Sequence, residues 1–163
     1  MLETATIIAF SKGWLSNFYP SPFEAEGTAY RQVEQYFMYQ KARFFGDDVS
    51  MQRILDAVTP REARELGQRV TPFDARWDAV RYGVMLQGSL LKYQQNASLR
   101  EQLLATGCKI LVEATAVDPI WGIAMSTEDP DILNPSAWRG KNLLGLCLME
   151  VRARLSTAAP RAF

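Results

Sequence analysis

Apolar and polar positions change their period along the chain, and each change marks an element. Thr4–Phe10 (TATIIAF) is short and β-rich and predicts a strand. Gly13–Pro22 gathers Gly, Ser, Asn and two prolines and predicts a loop. Phe23–Tyr30 suits a small hairpin with Glu26-Gly27 at its turn. From Val33 the spacing becomes helical through Tyr36, Phe37, Met38 and Ala42, so Arg31–Phe45 predicts a helix that Gly46 ends. Val49–Ala57 predicts a second helix with Met51, Ile54 and Leu55 inward. In Thr59-Pro60-Arg61-Glu62, Thr59 caps, Pro60 fits the first helical position and Glu62 closes a capping box; this third helix runs to about Gly67. Trp77–Gln95 predicts a long helix with Val80, Val84 and Leu91 on its apolar side. Ser98-Leu99-Arg100-Glu101 predicts a capped helix Leu99–Thr106, stopped by Gly107. Lys109–Thr115 predicts a strand, and Asp118–Trp138 an irregular segment. Asn142 caps a last helix, Leu143–Leu155, buried through Leu144, Leu148, Val151 and Leu155. The tail Ser156–Phe163 is expected to fray. No repeat or linker interrupts the pattern, so it predicts one α+β domain over residues 1–163, mainly helical with a small β-sheet.

Composition narrows the chemistry. Apolar residues at 48% and charged residues at 22% can build a core. Lys plus Arg total 18 and Asp plus Glu total 18, so no basic excess favours a general nucleic-acid binder, although a local basic pocket fits. The histidine count is 0, which excludes Ser-His-Asp triads, Cys-His pairs and HExxH zinc helices. Cys108 and Cys147 are too few for a zinc site and are expected to be inert core residues, so no metal or cofactor is expected. Two cysteines, with no secretory pattern in Met1–Ser11, predict a reducing, cytoplasmic setting. No apolar stretch has the length to span a bilayer, and no membrane partner is expected. Acid–base work falls to carboxylates, lysine, tyrosine and backbone dipoles.

Glu34 lies on an aromatic helix face near Phe37 and Met38, and Lys41 is two turns further on the same side. Aromatic surroundings raise a carboxyl's proton affinity and a nearby ammonium lowers it, so the pair suits acid–base tuning or, more plainly, a solvated or structural charge pair. Asp118-Pro119-Ile120-Trp121-Gly122 follows a strand end, where a carboxylate and an aromatic platform suit a ligand with a polar head and a flat ring; a simple turn fits as well. Asn17 and Phe18, in the loop Trp14–Phe18, suit stacking on and hydrogen bonding to a base, or anchoring of the loop. Trp77 reads as core. Arg139, Lys141 and Asn142 bring a basic segment to a helix start, which suits phosphate, or an ordinary cap.

Taken in order, these motifs resemble the NADAR (YbiA-like) family over about Ile8–Leu155. The resemblance is carried by LSNFYPSPF (Leu15–Phe23), VEQYFMYQKA (Val33–Ala42), Leu66-Gly67, Trp77, LLATG (Leu103–Gly107), ILVEA (Ile110–Ala114), DPIWG (Asp118–Gly122) and WRGKNLLGLCLMEVR (Trp138–Arg152). It implies a compact, mainly helical α+β fold and a metal-free N-glycosidase. One branch of the family hydrolyses early riboflavin-pathway ribosylamino-pyrimidine phosphates; another removes ADP-ribose from guanine in DNA or RNA. The family's key carboxylates fall on Glu34 and Asp118 and its active-site tryptophan on Trp77. Its other motif positions fall on Asn17, Phe18, Lys41, Trp121, Gly122 and Asn142. This chain departs from the family at Gly122-Ile123-Ala124, where many relatives carry a second glycine (WGxG), and at Tyr30–Val33, where many carry Pro-Thr.

Cleavage of an N-riboside passes through an oxocarbenium-like sugar, so one carboxylate stabilises the cation or activates water and a second group helps the nitrogen leave. The resemblance gives these roles to Glu34 and Asp118, with either as acid or base. Trp77 and Trp121 would hold the ring, and Lys41 with Arg139, Lys141 and Asn142 would meet phosphate. A non-catalytic ADP-ribose or nucleotide-binding module would keep Trp121, Lys41 and Asn142 without needing Glu34. A structural or interaction domain would leave Glu34 and Asp118 exposed.

Overall fold

The structure, a computed structural model, describes residues 1–72 and 74–157. The elements run β1 (Leu2–Glu3), β2 (Ile7–Phe10), β3 (Phe23–Ala25), β4 (Thr28–Tyr30), α1 (Val33–Phe44), α2 (Asp48–Asp56), α3 (Pro60–Gln68), α4 (Arg76–Gln95), α5 (Ala97–Ala105), β5 (Ile110–Glu113), a short 3-10 turn (Pro135–Ala137) and α6 (Leu143–Thr157). The class is α+β. The chain forms two compact units: Asn17–Asn96, and Met1–Ser16 joined to the chain from Ala97 onward. Among the described residues no helix is long and apolar enough to cross a membrane.

In the unit Asn17–Asn96, β3 and β4 pair antiparallel. Their turn is Glu26-Gly27, both left-handed at φ 51° and 77°, the geometry that matches strand twist. Helix α1 packs on α2, α3 and α4. It starts at Val33 rather than Arg31 because Gln32 is extended and the Arg31 N–H donates to Gln35 Oε1 at 2.8 Å. The amide of Gln35 also donates to the carbonyls of Ile54, Leu55 and Ala57 at 3.0, 3.1 and 3.3 Å. These belong to the end of α2, where carbonyls lack helical partners. A glutamine inside α1 thereby docks α2. At the start of α3 the Glu62 N–H donates to Thr59 Oγ1 at 3.2 Å, as predicted; the Glu62 carboxylate accepts from Val58, one residue before the cap. The inner side of α4 differs from prediction. Met85, Ser89, Lys92 and Tyr93 are buried there, and Val80, Val84 and Leu91 are only half-buried. Burial of Lys92 pushes its pKa down to about 7.

In the other unit the strand order is β1-β2-β5, antiparallel and then parallel. All four residues of β2 are buried, so it reads as a continuous apolar run. The predicted strand Thr4–Phe10 shortens to Ile7–Phe10 because the chain turns at Thr4, whose Oγ1 accepts the Ile7 N–H at 3.0 Å. A core of Ile7, Ala9, Val112, Ala114, Ile123, Met125 and Ile132 lies against the sheet. Helix α5 begins at Ala97, so Ser98 lies inside it and does not cap it. Helix α6 packs on β5 and extends through Thr157, past the predicted end; residues 158–163 of the predicted tail lie outside the described residues. Cys147 is buried as expected, whereas Cys108 is exposed, because it follows the left-handed Gly107 in the turn after α5.

Candidate active site

Glu34 stands in the first turn of α1, where backbone N–H groups favour a carboxylate. It is only 3% exposed, which disposes of the solvated-charge reading. Asn17 holds it twice. The Asn17 carbonyl accepts the Glu34 N–H at 3.0 Å, and Asn17 Nδ2 donates to Glu34 Oε2 at 2.6 Å. The loop before β3 therefore fixes both ends of this residue. Beside it in sequence, Phe18 is half-buried, with the Arg64 guanidinium 6.0 Å from its ring centroid. Lys41 is half-buried and its ammonium donates to the Gly67 carbonyl at 2.9 Å; burial lowers its pKa. Trp77, 4% exposed at the start of α4, packs against Phe37 and Phe44, with centroids 5.3 and 5.8 Å away.

In the other unit, Asp118 organises its loop. Asp118 Oδ1 accepts the N–H groups of Ile120 and Trp121 at 2.9 and 2.8 Å, so the carboxylate shapes the turn that sets Trp121, itself half-buried. The carbonyls of this turn then receive the start of α6. Lys141, Asn142, Leu143 and Leu144 N–H donate to Pro119, Gly122, Ile120 and Trp121 at 2.9, 3.0, 3.1 and 3.0 Å. This corrects the expectation of a helix start free to bind phosphate, since those N–H groups are occupied. It also corrects the role of Asn142. Its side chain does not cap α6; it turns to β5, where Oδ1 accepts the Glu113 N–H at 3.0 Å and Nδ2 donates to the Leu111 carbonyl at 2.9 Å. Asn142 is left-handed at φ 52°, a conformation asparagine tolerates. Lys141 and Arg139 are exposed, and Arg139 approaches Asp129 at 3.4 Å. Gly122 is buried, and a Cβ there would lie 2.6 Å from the Thr115 methyl and 2.8 Å from the Glu113 carbonyl.

Two residues were not singled out by the sequence. Glu113, at the end of β5, is 8% exposed. Burial and then the charge of Asp118 push its pKa up to about 8. The signal for it is a carboxylate closing an otherwise apolar strand. Lys92, on the inner face of α4, is the other, with the rings of Tyr93 and Tyr19 at 5.0 and 5.8 Å from its ammonium. Among the described residues, no three His, Cys, Asp or Glu side chains gather as a metal site.

The NADAR domain model matches residues 8–156. The chain belongs to the NADAR family. Among curated relatives, the N-glycosidase R617 of Acanthamoeba polyphaga mimivirus is 36% identical over 149 residues, covering 91% of this chain and 88% of that protein. The N-glycosidase YbiA of Escherichia coli K12 is 34% identical over 145 residues, covering 88% and 82%. The NMR structure of the E. coli protein YbiA superposes with a TM-score of 0.78 at 33% identity, over 96% of this chain and 88% of that one. One departure of this NADAR chain now has a backbone consequence. Ala124, where the family pattern carries a second glycine, is left-handed at φ 54°. A side chain there costs roughly 1–2 kcal/mol that glycine avoids, against about 0.5–1 kcal/mol for glycine's extra freedom when unfolded. Ala124→Gly is therefore expected to raise stability by about 0.5–1 kcal/mol, read as a melting point about 2 °C higher. A lower melting point would contradict this.

Proposed function

We propose that this chain is an N-glycosidase that hydrolyses the bond between a ribosyl carbon and the nitrogen of a base, without a metal. Family membership and the named N-glycosidases among its relatives support the activity. The observation that carries the mechanism is Glu34, a carboxylate withdrawn from bulk water and aimed by two contacts from Asn17. A fixed negative group of this kind stabilises the oxocarbenium-like sugar or takes a proton from attacking water, with little reorganisation at the moment of reaction. Asp118 is the second carboxylate of the reading, and its turn presents Trp121 as a surface for a flat base. Trp77 completes the aromatic packing beside Phe37. In the unit that holds α6, phosphate recognition rests on the side chains of Lys141 and Arg139, because the N–H groups at the start of α6 are already bonded.

The substrate is a phosphoribosyl or ADP-ribosyl compound. Both an early riboflavin-pathway ribosylamino-pyrimidine phosphate and ADP-ribosyl-guanine in DNA or RNA present this chemistry. The test is to offer both classes in the presence of EDTA and to identify released base and sugar by mass. Base release from one class, undiminished by EDTA, is expected. Loss of turnover in EDTA, with recovery on adding a divalent ion, would overturn the metal-free reading. Bound but unchanged ligand after long incubation would favour the ADP-ribose or nucleotide-binding module.

A further inference from the structure

Among the described residues, two buried side-chain polar atoms lack a hydrogen-bond partner, Gln32 Nε2 and Glu113 Oε2. The first lies two residues before Glu34, within the unit Asn17–Asn96 and in the segment where the chain departs from the family pattern. Gln32 is the N-cap residue of α1, extended at φ −164° and ψ 166°, and its side chain makes no cap bond. It is 3% exposed. A buried donor left bare lowers stability, and native proteins keep few of them. The same helix start is able to satisfy a buried glutamine. Three residues on, the Gln35 amide serves the end of α2 and its oxygen accepts the Arg31 N–H.

The backbone explains why Gln32 is covered. The loop before β3 crosses the start of α1 and is bonded to the chain on both sides of Gln32. The Ser21 N–H donates to the Arg31 carbonyl at 3.0 Å, and the Glu34 N–H donates to the Asn17 carbonyl at 3.0 Å. Gln32 sits between these two bonds, under the segment that also brings Asn17 Nδ2 to Glu34 Oε2. Two positions along a chain span at most about 7 Å between Cα atoms, so a bare donor stands beside a held carboxylate.

A donor next to an acceptor is the complement of a hydroxyl, which gives its own proton and accepts another through its oxygen. A phosphate would be repelled by Glu34, and a cation would be repelled by the amide N–H. In an N-riboside the hydroxyl nearest the anomeric carbon is the one on C2. We propose that Gln32 is a substrate-binding residue whose amide donates to the oxygen of the ribose 2-hydroxyl while that hydroxyl donates to the Glu34 carboxylate. This rests on the N-glycosidase reading above, which places the anomeric carbon at Glu34. Glu34 keeps its bond from Asn17, since a carboxylate offers about four lone-pair sites. Bonds to the 2-hydroxyl strengthen as positive charge builds on the neighbouring carbon.

The experiment uses ribose 5-phosphate, the sugar that hydrolysis of a phosphoribosyl substrate releases, and 2-deoxyribose 5-phosphate, which lacks only that hydroxyl. Calorimetry gives the dissociation constant of each for wild type and for Gln32→Met, a side chain of similar length with no donor. Thermal melting without ligand is measured alongside. Wild type is expected to bind ribose 5-phosphate about three- to tenfold more tightly, and Gln32→Met to bind the two sugars alike. Ligand-free Gln32→Met is expected to melt about 2–4 °C above wild type, because the bare donor is gone and no partner is orphaned. Wild type that binds neither sugar, or both equally, would overturn the proposal, as would a Gln32→Met protein that keeps the preference. A Gln32→Met protein that melts lower or does not fold would show that the amide is already satisfied within the protein, and would overturn it too. Wild type that prefers ribose through Gln32 but releases no base from any ribosylated substrate would sink the N-glycosidase reading alone and leave the ribose contact standing.

Discussion

Glu34→Gln is expected to fold and melt like the wild type, still bind ligand, and lose at least about two orders of magnitude in turnover. The fold should survive because the substituted amide keeps an oxygen to accept from Asn17 Nδ2, and the backbone bond to the Asn17 carbonyl is untouched. Catalysis should not survive, because the amide has neither the negative charge that steadies an oxocarbenium ion nor the basicity to accept a proton. A hundredfold loss corresponds to about 3 kcal/mol of barrier. A carboxylate of purely structural importance would show its loss in melting temperature instead. Asp118→Asn, which likewise retains acceptors for Ile120 and Trp121, is expected to lose a comparable factor. The measurements are kcat on the substrate that wild type cleaves, ligand affinity, and thermal melting. A folded Glu34→Gln protein with near wild-type turnover would remove Glu34 from the mechanism and favour the binding-module reading.

What the sequence made legible was local. The Thr59 cap, the Glu26-Gly27 turn and the inward leucines of α6 each depend on residues within one or two turns of each other, and each is found, although the Glu62 carboxylate closes on Val58 rather than on Thr59. The helix glutamate was legible too, though its partner was not: the bond from Asn17 spans 17 residues. Longer reach explains the larger misses. Asn142 looks like a cap because asparagine before an apolar run usually is one. Here its amide answers Leu111 and Glu113, 31 and 29 residues away, and no spacing rule reaches that far. The same strap hides Glu113. In sequence it is one polar residue after Ile110-Leu111-Val112, and it becomes a buried acid only when the loop from Asp118 closes over it. Lys92 was missed for the opposite reason, since a lysine at helical spacing is normally solvated, and this one is buried.

Gly145→Ala is expected to be the most destabilising single methyl that can be added to the chain's glycine positions near the Asp118 turn. A Cβ at Gly145 would collide with the Leu111 carbonyl oxygen and lie 2.5 Å from both side-chain polar atoms of Asn142. The Leu111 oxygen is backbone of a buried strand and has nowhere to go. The Asn142 amide can retreat only by giving up its bonds to Glu113 and Leu111. Helix α6 must therefore back away from β5. Overpacking of this kind costs about 1–3 kcal/mol, and each buried hydrogen-bonding group left unpaired adds about 1–3 kcal/mol. A total above about 3 kcal/mol would lower the melting temperature by on the order of 10 °C in a chain of this size. The Asn142 N–H is bonded to the Gly122 carbonyl, so the Asp118 turn should move with the helix and kcat/KM should fall in parallel. Gly83→Ala is the matched control. It lies within α4 with nothing inside 4 Å of the new methyl, so it should stabilise the protein by about 0.5–1 kcal/mol through helix propensity. Thermal melting of the two variants side by side decides the matter: a Gly145→Ala protein within about 2 °C of wild type would show that α6 is not strapped to β5 through Asn142.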